Sequence, residues 1–141
     1  MHKRRAIREA VENELSNISG LTVKSARVYA LDSLPACVIL QDSEANNILT
    51  IDSSDFDIMR TLTLKLALIV SASDDVDDVL DGLCESVELQ LSSNRKLGGL
   101  VFESMLTLTE IEFEGEGEKP HGKATLTYEY QYITAVNNPS A

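Results

Sequence analysis

Apolar positions along the chain change period several times, and each change marks an element. Over residues 3–18, Ile7, Ala10, Val11, Leu15 and Ile18 recur at spacings of three and four, while Arg8, Glu9, Glu12 and Asn13 take the other side. That spacing predicts an amphipathic helix, with "NISG" ending it at Gly20. "KSARVYAL" (24–31) alternates through Ala26, Val28 and Ala30 and predicts a strand. After the turn "DSLP", the short apolar run "ACVILQD" (36–42) suits a strand buried on both faces. From Arg60 the alternation is strict. Leu62, Leu64, Leu66, Leu68 and Val70 face one way; Thr61, Thr63, Lys65 and Ala67 face the other.

The period then returns to that of a helix. Val76, Val79, Leu80, Leu83, Val87 and Leu91 form one stripe, with Ser73 as the expected N-cap, Asp74 and Asp75 in the first turn, and the cations of "SNRKLGG" (93–99) near the C-terminal end. "FESMLTLTEIEFE" (102–114) is strand-like, but its alternation slips near Leu106–Thr109, which predicts a bulge. "GEGEKPHG" (115–122) is a turn-rich connector to the last strand, "KATLTYEYQYIT" (123–134), where Leu126, Tyr128, Tyr130 and Tyr132 share one face. The expected architecture is α+β: one domain over residues 1–141, a mainly antiparallel sheet, the last two strands paired as a hairpin, and two helices packed on one face. The three tyrosines are read first as packing between sheet and helices. The alternative is a rim that meets a partner, since Tyr is favoured at interfaces. Residues 43–59 are expected to form a long loop, a candidate contact surface together with 115–122.

Charge changes the picture. Twenty-three acidic against 12 basic side chains give a net charge of −11 in 141 residues. Affinity for phosphate needs clustered Lys and Arg, so nucleic acid is not an expected direct partner. The cations that exist crowd the start (Lys3, Arg4, Arg5, Arg8), and the acids crowd 74–88. An apolar run long enough to span a bilayer is missing, as is a secretory pattern at the start, so the expected location is cytoplasmic. Cys37 and Cys84 read as two buried free thiols.

Candidate chemistry is sparse. His2 is read at a frayed terminus and His121 in a glycine-rich loop tip, neither with a companion at nucleophile–base spacing. "KLGGLVF" runs from helix to strand, the wrong polarity for a phosphate loop. Asp74, Asp75, Asp77, Asp78 and Asp81 follow a helical pattern and not the alternate-position ligands of a calcium loop, so they read as a solvated helix face. A weak Mg²⁺ or Ca²⁺ site is the alternative. The expectation is a protein with no enzymatic activity, no cofactor and no resident metal.

Three stretches carry a resemblance: the opening helix "RRAIREAVENEL", the strand after "LPACVIL", and the long strand "TLTLKLALIV" followed by the acidic helix "DDVDDVLDGLCESVE". With the closing pair "LTLTEIEFE" and "ATLTYEYQYIT", this order resembles the phage minor tail protein U family, the tail terminators of long-tailed phages, over residues 3–134. The resemblance implies a phage or prophage origin and a structural role. A homohexameric ring would cap the tail tube, stop its polymerisation, meet the head connector and join the virion. It also implies a hole for DNA, for which helix 74–91 is a candidate lining that repels phosphate. From the residues themselves, the contact candidates are Arg4, Arg5, Arg8, Asp74, Asp75, Asp78, Glu116, Glu118, Tyr128, Tyr130 and Tyr132. Rival readings are a head–tail completion (neck) protein, an acidic monomeric inhibitor that mimics DNA, and a small ligand-binding or catalytic domain.

Overall fold

The computed structural model describes residues 1–25, 34–49, 56–71, 75–114 and 120–140. Two helices, α1 (Lys3–Leu15) and α2 (Val76–Ser92), accompany five strands: β1 (Thr22–Lys24), β2 (Ala36–Ile48), β3 (Asp57–Ser71), β4 (Glu103–Glu114) and β5 (His121–Ala135). The strands form one sheet in the order β1-β2-β3-β5-β4. Only the β1–β2 pair is parallel; the other three are antiparallel. This is the α+β architecture expected from the sequence.

The strict alternation of β3 sets the core. Leu62, Leu64, Leu66 and Leu68 are fully buried, and the register places Leu64 opposite Tyr128 and Leu62 opposite Tyr130. These rows meet Ile7, Val11 and Leu15 from α1 and Leu80, Cys84, Val87 and Leu91 from α2 in one cluster. Each such side chain contributes roughly 1.5–3 kcal/mol of apolar transfer on burial. On the second face, Ala36, Val38, Ala67 and Ile69 are also buried, as the unbroken run at the start of β2 predicts. Ala67 therefore does not face solvent as the alternation of β3 suggested.

α2 comes close to the sheet at Gly122: a Cβ there would lie 3.0 Å from Val76 Cγ2 and 3.4 Å from Leu80 Cδ2 and Phe113 Cε1. Past α2, Leu97 is buried with φ +49, and Gly98 and Gly99 follow at φ +67 and +97. Glycine adopts that left-handed conformation at little cost, which allows the tight turn into β4.

Several expected boundaries move. The loop expected over 43–59 is strand at both its ends, while its centre, 50–55, lies outside the described residues: β2 runs on to Ile48 and β3 begins at Asp57, with Ser43 opposite Thr63 and Ile48 opposite Ile58. Backbone pairing with the neighbouring strand overrides the polar composition there. α1 ends at Leu15, not 18, although Ile18 still packs on the core. α2 begins at Val76 with Asp75 at its N-cap and no side-chain cap bond, two residues beyond the expected Ser73. Its buried stripe includes Cys84, whereas Val79 is exposed. Arg95 and Lys96 lie beyond its last turn. The strand expected over 24–31 falls largely outside the described residues; β1 covers only Thr22–Lys24. The slip in β4 is a register shift between Leu106 and Leu108, as the broken alternation predicts, and β4 pairs with β5 as the expected hairpin.

Candidate functional site

Two regions stand apart from ordinary core. The first is a cluster of charge at one end of the sheet. Glu44 on β2 has only 6% of its side chain exposed, and its Oε1 accepts from Arg4 Nη1 at 3.2 Å and Arg60 Nη1 at 2.9 Å. Its Oε2 accepts from the Tyr132 hydroxyl. Arg60, 12% exposed, also donates through Nε to Thr134 Oγ1 at 2.8 Å. Burial, then the bond to Glu44, pushes the Tyr132 phenol well above its ordinary range. One carboxylate therefore ties α1, β2, β3 and β5 together, satisfying charges that would be costly to bury alone. His2 stands beside this cluster and is not frayed: its Nδ1 accepts from the Arg4 backbone N–H at 2.9 Å and caps α1. His121 is not in a loop tip either; it opens β5.

The second region is β4. It is the last strand of the sheet, its outer edge has no partner strand among the described residues, and the helices pack elsewhere, α1 over β1 and β2, α2 over β3 and β5. Its apolar side chains are consequently left open on both faces. Met105 (58% exposed) and Leu108 (51%) stand opposite Glu129 and Thr127 on the face away from the helices. Ile111 (52%) and Phe113 (48%) stand opposite Ala124 and Gly122 on the helix side. Between β4 and the C-terminal half of α2 lies a cavity of about 320 Å³, with Leu91, Leu106 and Tyr128 among its apolar lining and Glu88, Arg95 and Ser104 among its polar lining. Met105 and Leu108 thus form one exposed apolar pair and Ile111 and Phe113 another, on opposite faces of the same edge strand.

The structure scatters the residues singled out from the sequence. Tyr130 and Tyr132 are core side chains, 1% exposed each. Tyr128 stacks on Tyr130 at 6.1 Å between ring centroids and is the one tyrosine of the three that borders the cavity. Burial, with the charge of Glu88, raises its phenol to about 12. Arg4 is committed to Glu44, Arg5 to Glu9 one helical turn on, and Arg8 to Gln41 Oε1 at 2.8 Å. Asp75 and Asp78 are exposed at the start of α2. Asp74, Glu116 and Glu118 lie outside the described residues. Sequence reasoning missed Glu44, which sat in a stretch read as loop. It also missed the openness of β4, for which part of the signal was present: apolar residues at both parities of one strand, Met105 and Leu108 on one face and Ile111 and Phe113 on the other.

Among the described residues, no group of three or more His, Cys, Asp or Glu side chains is placed to hold a metal ion, and no helix is long and apolar enough to cross a membrane.

No protein-family model matches the chain, and no curated protein is similar to it. Among solved structures, the chain is similar to a component of the "Virion of native gene transfer agent (GTA) particle", at 5% identity, over 89% of this chain and 95% of that one, with a TM-score of 0.38. A likeness at that level fixes no role for this chain.

Proposed function

We propose that this protein is a structural subunit of a phage or prophage particle, a tail terminator that assembles into a hexameric ring on the end of the tail tube. The observation that carries the reading is β4, an edge strand with Met105, Leu108, Ile111 and Phe113 open to solvent on its two faces. Soluble chains usually cover or charge such an edge. β4 carries Glu103, Glu110, Glu112 and Glu114, yet its four large apolar side chains stay open beside them, and exposed apolar side chains of this kind serve contact. The order of elements supports the reading through its resemblance to the minor tail protein U family. So does the separation of charge, with cations in the first turns of α1 and only acids on α2 and β4. In this role the ring stops tube growth and presents its other side to the head connector.

Electron microscopy of tube assembly tests the proposal. Tube protein encoded beside this chain is polymerised with and without it. Shorter tubes carrying a ring at one end are expected; tubes of unchanged length with bare ends overturn the reading.

A further inference from the structure

β4 and α2 run side by side, and together they form a trough. Its floor on the helix side is Leu106, Ile111 and Phe113, and the 320 Å³ cavity lies at one end. Its wall is one side of α2. Asp77, Asp81, Glu85 and Glu88 follow spacings of three and four, so they share that side, and Glu88 lines the cavity itself. The opposite flank of α2 is taken by α1, where Gln90 donates to Glu14 at 2.6 Å. Neither α2 nor β4 contains a single lysine or arginine. The trough is thus apolar below and acidic along α2, with Arg95 at the cavity end paired to Glu103 at 3.2 Å, and it calls for an occupant that brings cations.

This chain presents cations at the far edge of the sheet. α1 lies over β1 and β2 there. Its first two turns carry Arg5, which is exposed and pairs with Glu9, and Arg8, which donates to the neutral Gln41. Its acids Glu12 and Glu14 come later in the helix, and Lys24 is exposed on β1. We infer that the trough between α2 and β4 receives the α1/β1 side of a second copy of this chain, head to tail. The inference rests on the assembly reading above and names its contact. Two different patches on one molecule make a heterologous interface, and such an interface forms a ring when its rotation closes. The charge pattern sets the direction: acid faces base only when the two opposite edges meet, and β4 against β4 would place acids against acids. The acids of α2 beside β4 then belong to the subunit contact and not to the lining of a DNA passage.

Charge swapping tests this. Asp81→Lys/Glu88→Lys reverses the wall, and Arg5→Glu/Arg8→Glu reverses the other edge. Each variant alone, checked for native circular dichroism, is expected to need about tenfold or more protein to assemble by sedimentation velocity. An equimolar mixture is expected to recover assembly, because alternating copies again set acid against base. Ile111→Lys, at a half-exposed position, is expected to weaken assembly without changing the fold. Variants that assemble like the wild type, or a mixture that stays dissociated, overturn this contact while leaving a wild-type ring intact. Wild-type chains that associate through this contact into dimers or filaments keep the inference and overturn the terminator reading. A wild-type chain that stays monomeric throughout overturns both.

Discussion

Glu44 and Tyr132 meet across an intervening strand. Glu44 lies on β2 opposite Leu62, Tyr132 lies on β5 opposite Arg60, and the phenol donates its hydrogen bond over β3 to the carboxylate. Arg4 and Arg60 bond the carboxylate's other oxygen. Removing the carboxylate leaves two guanidinium groups with no counter-charge. Glu44→Ala is expected to destabilise the fold by about 3 kcal/mol, since a broken buried pair costs the desolvation of the charge left behind. Tyr132→Phe is expected to cost about 1 kcal/mol. Urea unfolding of both variants measures the difference, and equal losses would contradict the assignment of Glu44 as the centre of the cluster.

Core and edge positions of the same residue type are expected to behave differently. Leu66 is fully buried between sheet and helices, whereas Leu108 is half exposed on β4. Leu66→Ala is expected to cost about 3 kcal/mol by loss of transfer energy and creation of a cavity. Leu108→Ala is expected to cost less than about 0.5 kcal/mol in the monomer. Thermal unfolding at a concentration where the chain is dissociated separates the two.

Both thiols are expected to be slow. Burial raises Cys37 to about 12, and burial with Glu88 and Asp81 raises Cys84 to about 11. The thiolate is the reactive form, so an aromatic disulfide reagent at about pH 8 should modify neither at an ordinary rate until the protein is unfolded. Fast labelling of the native protein would contradict their placement.

His2 is expected to titrate below its ordinary 6.5, because burial and the neighbouring Arg4 charge disfavour the imidazolium. Folding therefore holds the ring neutral, as the cap bond from Arg4 N–H requires. The stability it contributes is present above pH 6.5 and is lost as pH falls through the lowered midpoint. The imidazole proton shifts followed by NMR give that midpoint directly; a value above 6.5 would contradict the cap.

Much of this fold can be read from periodicity. The two helices, the long strand β3, the bulge in β4 and the closing hairpin each follow from residues whose spacing has one sensible burial. The polar stretch after Gln41 could not be read that way. Ser43, Glu44, Asn46 and Asn47 have loop composition, yet β3 supplies backbone partners to all four. Composition describes side chains, and pairing is a property of the neighbour. Glu44 was invisible for the same reason: its three partners come from residues 4, 60 and 132, which no local pattern connects. The tyrosine row was legible as one face of a strand, but whether that face meets a helix or a partner depends on how far α2 reaches. It covers β5 and stops short of β4, which moves the exposed surface one strand further than the tyrosines suggest.

The most direct test is native mass spectrometry of the wild-type chain across a protein-concentration series. The account predicts a closed ring of six copies that grows with concentration at the expense of monomer. A monomer at every concentration would contradict it.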